Sequence, residues 1–120
     1  MDPTSVADLY YDAWINRGGD MSAVPLAENF EFRGPVASFA DAAGYRQMAA
    51  QAGAAVRSFR VRHRFADGDL VCSVVDWKMS MVDGVLTAAE VLEIRDGVIV
   101  RGELIYDAED LRKAMRTPSG

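Results

Sequence analysis

One carboxylate in this chain stands where the pattern around it calls for an aliphatic side chain. In "TAAEVLEIRDGVIVRGELIYD", alternation places Ala88, Glu90, Leu92 and Ile94 on one face of a strand and Ala89, Val91, Glu93 and Arg95 on the other. An ionised carboxylate among aliphatic neighbours is costly, so Glu90 is expected to stay neutral with a raised pKa. That state suits general acid work or hydrogen-bond donation. His63, the only histidine, lies between Val61 and Phe65 on the apolar face of "SFRVRHRF", where an imidazole could move protons near neutrality. Tyr10 and Tyr11 are adjacent and point about 100° apart on a helix, so only one can lie squarely over a sheet. Tyr10 fits an apolar stripe with Val6, Ala13 and Trp14. Trp77, Met79, Met81, Phe32, Leu92, Leu104 and Tyr106 would give these groups a soft apolar lining. One histidine without cysteine pairs offers no metal site, and "RDGVIVRG" lacks the Lys-Ser/Thr and following helix of a phosphate loop.

The elements that must position these residues divide the chain in two. Residues 3–17, "PTSVADLYYDAWINR", have helical apolar spacing between Pro3 and Gly18-Gly19. Asp20 could cap a short second helix to about Ala27, and "NFEFR" then forms a strand ended by Gly34-Pro35. Asp41 is a plausible N-cap for "AAGYRQMAAQAGAAVRS", whose stripe is Tyr45, Met48, Ala49, Ala52 and Val56. After residue 58 the period becomes two. Phe59, Val61, His63 and Phe65 alternate with Arg60, Arg62 and Arg64, giving an apolar face and a row of cations. Turns at Asp67-Gly68, Asp83-Gly84 and Asp96-Gly97 link four antiparallel strands into a meander. A closing helix "AEDLRKAM" precedes the polar tail "RTPSG". Helices followed by a long meander make an α+β order, with helices against one sheet face and a pocket at the open end of the bend.

The totals narrow the possibilities. A chain of 120 residues is one domain, residues 1–120, able to bury roughly two thirds of its unfolded surface. Its net charge of -5 gives no basic excess for nucleic acid. No apolar run approaches the length of a membrane span, the start lacks a signal-peptide pattern, and a lone Cys72 excludes an internal disulfide. A cytoplasmic setting is the expectation.

The element order, with "YYDAWINRGGD", "NFEFRGPVASF" and "VLEIRDGVIVRGELIYDAEDL", resembles the NTF2-like superfamily, and within it the SnoaL-like polyketide cyclase and ketosteroid isomerase-related group. The resemblance runs from about Val6 to Met115. It implies a cone-shaped NTF2-like (cystatin-like) fold, a curved antiparallel or mixed sheet wrapped around N-terminal helices. It also implies cofactor-free acid/base chemistry and a homodimer formed through the outer sheet face; there Asp76, Glu93 and Glu103 could answer the arginine row across neighbouring strands or across a two-fold axis. The helix tyrosine of a ketosteroid isomerase oxyanion hole falls on Tyr11 and its acid on Glu90, while the catalytic base position is Gly34. The acid and arginine of limonene-epoxide hydrolases correspond to Leu104 and to Val74 or Val75. Two readings follow. One is an isomerase, cyclase or hydratase acting on a small polyketide-, terpenoid- or steroid-like compound, with Glu90 as proton shuttle, His63 as its partner and Tyr11 orienting a substrate oxygen. The other is a protein that holds such a ligand without turnover, which the missing acids at Gly34 and Leu104 favour.

Overall fold

A computed structural model describes residues 2–116; most of the polar tail, from Thr117 onward, lies outside the described residues. Helix α1 spans Pro3–Asn16, with the Asp2 carboxylate accepting from Ser5 N at its N-terminus and Pro3 in the first turn, where a missing N–H costs nothing. Strand β1 (Leu26–Arg33) and the two-residue β2 (Ser38–Phe39) follow. Helix α2 spans Ala42–Gly53, capped as expected by Asp41, whose side chain accepts from Gly44 N. The four strands β3 (Val56–Asp67), β4 (Leu70–Met79), β5 (Leu86–Arg95) and β6 (Val98–Ile105) form the antiparallel meander, and α3 (Glu109–Arg116) closes the described chain.

The six strands make one mixed sheet in the order β2-β1-β6-β5-β4-β3, antiparallel except where β1 runs parallel to β6. Helix α1 packs on β3, β4 and β5, and α2 on β1 and β2, so both helices cover the same face. That inner face carries Val71, Ser73, Val75, Trp77 and Met79 from β4 and Leu86, Ala88, Glu90, Leu92 and Ile94 from β5, all buried. At Asp96-Gly97 both residues have positive φ, 52° and 78°, the geometry of the tight hairpin turn that the sequence calls for. Close packing of the helix ends depends on Gly53: a Cβ there would lie 1.8 Å from Gly18 O.

Several expectations need correction. The short helix from Asp20 to Ala27 does not form. The Asp20 carboxylate accepts from Ser22 N in a local turn, and Pro25 O accepts from Ile99 N, which commits this segment to the sheet. Helix α2 stops at Gly53, so Val56 opens β3 instead of extending the helical stripe.

The largest correction lies in β3. Val61 pairs with Val75, but His63 pairs with Val74, so β3 carries one extra residue at Arg62. A bulge of this kind exchanges the two faces of everything beyond it. His63 and Phe65 therefore face outward and are exposed, Phe65 by 63%. Arg64 pairs with the buried Ser73 and turns inward, where its guanidinium lies 5.5 Å from the Tyr11 ring centroid and pairs with Asp8 of α1. The arginine row is thus broken: Arg60 and Arg62 remain outside, both paired with Asp76 at 3.2 and 2.6 Å. Met81 lies past the end of β4 and is 46% exposed, outside any lining.

Candidate functional site

Between the helices and the inner sheet face lies a pocket of about 140 Å³. Its wall is almost wholly apolar. Trp77 and Met79 come from β4, Phe32 from β1, Leu104 from β6, Tyr106 from the segment after it, and Leu111 from α3. Gly34 to Ala37 form one side of it. Of the residues expected in the lining, Met81 and Leu92 are absent: Met81 lies past the end of β4, and Leu92 is fully buried in the core beside Gly102 and does not reach the pocket.

Among the described lining residues one carboxylate enters this wall. Glu90, 3% exposed, presents its carboxyl to the pocket from the middle of β5. The Tyr10 hydroxyl donates to Glu90 Oε2 at 2.8 Å. Because Tyr10 donates its single proton there, its contact with Tyr45 runs the other way, with the Tyr45 hydroxyl donating to Tyr10. The chain Tyr45, Tyr10, Glu90 is thus directional, drawing its donors from α2 and α1 and ending on the carboxylate of β5. With Oε2 engaged, a proton carried by Glu90 sits on Oε1.

Burial pushes the Glu90 pKa up to about 7, against the Tyr10 hydrogen bond and the nearby Tyr11 hydroxyl, both of which favour the ionised form. Both phenols of the chain move the opposite way from what would make them acids. Burial, reinforced by the Glu90 charge, raises Tyr10 and Tyr45 far above an ordinary tyrosine, so each stays a hydrogen-bond donor. Glu90 is the one group of the three that changes charge near neutrality.

Of the two adjacent tyrosines, Tyr10 is the one that reaches the pocket, as its place in the apolar stripe indicated. Tyr11, onto which the resemblance to ketosteroid isomerases falls, lies beside the site without lining it. Its hydroxyl approaches Glu90 and Ser73 without closing an aligned hydrogen bond. The bulge removes His63 from Glu90 altogether. Tyr45 was visible in the sequence only as a member of the α2 stripe; its sign was to be the one residue of that stripe carrying a hydroxyl. Arg33 and Asp107 are both exposed, and Asp107 accepts from Glu109 N at the start of α3. Among the described residues no three of His, Cys, Asp or Glu converge as metal ligands.

A curved mixed sheet around two helices is the fold of a known group of proteins. The SnoaL-like domain model matches residues 7–102. The chain belongs to this family. An NTF2-like protein of unknown function from Cytophaga hutchinsonii shares the fold at a TM-score of 0.81 and 19% identity, over 93% of this chain and 96% of that one. A protein from Kribbella flavida DSM 17836 gives 0.80 and 22%, over 92% and 91%. A limonene-epoxide-hydrolase-like epoxide hydrolase of M. tuberculosis gives 0.72 and 15%, over 93% and 87%. At these identities the SnoaL-like chain shares its α+β fold with the NTF2-like structures. No curated protein matches its sequence. No described helix is long and apolar enough to cross a membrane.

Proposed function

We propose that this SnoaL-like protein is a cofactor-free acid/base enzyme of the isomerase, cyclase or hydratase type. Its substrate is a small, mainly apolar compound bearing one oxygen function. The observation that carries the reading is Glu90: a single buried carboxyl with a pKa near 7 in an otherwise apolar wall. Such a group populates both proton states at neutral pH, which is the condition for giving and retrieving a proton within one cycle. Protonated at Oε1, it donates to the ligand oxygen. Once ionised, it is stabilised by the Tyr10 hydrogen bond, and the Tyr45 hydroxyl supports Tyr10 from behind. A volume of about 140 Å³ resembles that of an apolar cavity that takes one benzene ring. The buried portion of the compound is therefore about one ring, and anything as large as a steroid would extend out of the pocket.

One observation favours a second reading, a protein that binds such a compound without turnover. Among the described residues the pocket wall contains no other carboxylate or imidazole, and Gly34 and Leu104 line it at the positions where the resemblance to isomerases and epoxide hydrolases would place acids. Glu90→Gln separates the two. It keeps the size and the hydrogen-bond capacity of the side chain while removing the proton that moves. With a panel of single-ring enones, epoxides and lactones as substrates, the enzyme reading expects a fall in kcat of at least 10²-fold with KM nearly unchanged. Equal binding of the panel by both proteins, seen as shifts of the Trp77 and Tyr106 resonances with no product from either, selects the binding reading.

We place the protein in the cytoplasm as a homodimer. A lone cysteine suits a reducing compartment. On the outer sheet face, Val74, Ala89 and Ile105 form a cross-strand row next to His63, and Cys72 and Val91 a second row next to Phe65. Of the charges around it, Asp76 pairs within the chain with Arg60 and Arg62, and Glu93 with Arg95 and Arg101, while Glu103 continues the second row beyond Val91 with no ion pair among the described residues. An apolar centre with one carboxylate left to meet a partner's charge is a composition that suits a two-fold contact.

A further inference from the structure

Three buried polar atoms on the inner face beside and beyond Glu90 have no hydrogen-bond partner: Tyr11 Oη, Ser73 Oγ and, one strand further on, Arg64 Nε. None of these residues lines the pocket. They lie together because of register. Arg64 pairs with Ser73 across β3 and β4, and Ser73 with Glu90 across β4 and β5, so three polar side chains form one row on the inner face. Tyr11 covers that row from α1, its ring under the Arg64 guanidinium and its hydroxyl near Glu90 and Ser73. One turn earlier on α1, Asp8 accepts from Arg64 Nη1 and fixes the outer end of the arginine, while Nε points at nothing that accepts.

A buried donor or acceptor left unpaired is costly, and a marginally stable domain does not carry that cost three times in one place. Two hydroxyls beside a carboxyl, with a guanidinium N–H on their far side, are a partner set for an internal water. We propose that Tyr11, Ser73 and Arg64 bind one internal water molecule, and that through it Arg64 acts as a positioning residue for the Glu90 carboxyl. The donor count closes. Arg64 Nε–H donates to the water, and the water donates its two protons to Tyr11 Oη and Ser73 Oγ. Both hydroxyl protons are then free to point at Glu90. The bulge at Arg62 acquires a purpose here, since regular pairing of the same residues would set Arg64 opposite Cys72 on the outer face. The proposal rests on Glu90 being the acid/base group of the pocket, which it supplies with hydrogen bonds from the side the ligand does not occupy.

The groups facing Glu90 are Tyr10 and Tyr11 from α1, Tyr45 from α2, Ser73 from β4 and, through Ser73, Arg64 from β3; its β6 neighbour Leu104 is apolar. Hydrogen bonds pointed at the carboxylate lower its pKa, so dismantling the water site raises it. Two measurements on the intact protein test this, and neither uses turnover, so they stand apart from the outcome of Glu90→Gln. In a crystal structure at 1.5 Å or better, density for one water within hydrogen-bond distance of all three atoms is expected. In a ¹³C NMR titration of the Glu90 side chain, Arg64→Met, which removes a group not itself bonded to Glu90, is expected to raise the midpoint by about one unit. Ser73→Ala should do the same and serves if Arg64→Met does not fold. Direct pairing of the three atoms with no water between them, or an unchanged midpoint in the folded variant, overturns the proposal.

Discussion

Glu90→Gln should change how stability depends on pH, whatever the substrate proves to be. In the unfolded chain a glutamate titrates near 4.5, whereas in the fold burial holds Glu90 near 7. Below pH 4.5 both states carry the proton and the group contributes no difference. Between 4.5 and 7 the native state keeps a proton that the unfolded state has released, so the native state binds more protons and stability falls as pH rises. Above 7 both states are ionised, and folding has to bury the charge. The interval is about 2.5 units at about 1.4 kcal/mol each, so wild type loses about 3 kcal/mol through this one residue between pH 5 and pH 8. Glutamine cannot titrate and loses none of it. Urea unfolding followed by tryptophan fluorescence at half-unit steps over that range measures the difference. With a slope of about 2 kcal/mol per molar, the wild-type midpoint should drop by about 1.5 M relative to the variant between the two ends. The window avoids Asp76, whose pKa is lowered chiefly by the Arg62 hydrogen bond. Its contribution is present above the unfolded carboxylate range and is lost only as pH falls below it. Parallel curves for the two proteins would refute a raised Glu90 pKa and remove the basis for its chemistry.

Two other substitutions test the placement of the site. Tyr10→Phe deletes the donor to Oε2, so the Glu90 midpoint should rise by about one unit in a ¹³C titration, and kcat of any reaction found should fall with it. A single step near 7, unmoved, would exclude Tyr10 from the directional chain. His63→Ala should leave the Glu90 titration and kcat unchanged within twofold, because the bulge places the imidazole on the opposite face of the sheet.

The sheet was legible because its signals are local. An Asp-Gly turn, a period of two and an acid before a helix each act over a few residues, and Asp96-Gly97, the β5 alternation and the Asp41 cap all formed as read. Glu90 faces inward for the same reason. The short helix after Asp20 failed because Pro25 found a strand partner 74 residues away, a contact no local pattern reports. His63 was misplaced by a subtler effect. "SFRVRHRF" alternates without interruption, and nothing in its composition marks the extra residue. What decides the matter is register: β3 is an edge strand, its far half pairs with Cys72 and Val71 one residue out of step, and its parity follows β4.

The outward His63 and the inward Arg64 share one cause. A strict reading of parity on β3 puts an imidazole beside Glu90 and three guanidinium groups in water. The bulge reverses both assignments at the cost of leaving Phe65 exposed, and it delivers Arg64 to a face where only Asp8 and Tyr11 receive it. An edge strand gains nothing in packing from such an exchange. What the inner face gains is a fixed positive group one residue from Ser73 and two from Glu90 in the cross-strand row, near enough to orient hydroxyl protons and too far to pair with the carboxylate and quench it. A direct Arg64–Glu90 ion pair would hold Glu90 ionised at neutral pH and end its use as an acid. The arrangement found, with tyrosine and serine hydroxyls between the two charges, keeps the carboxyl poised near 7. The oddly placed acid on β5 and the irregular edge at β3 are therefore parts of one device: regular pairing of the same residues would set Arg64 opposite Cys72 on the outer face and leave Tyr11 and Ser73 without it.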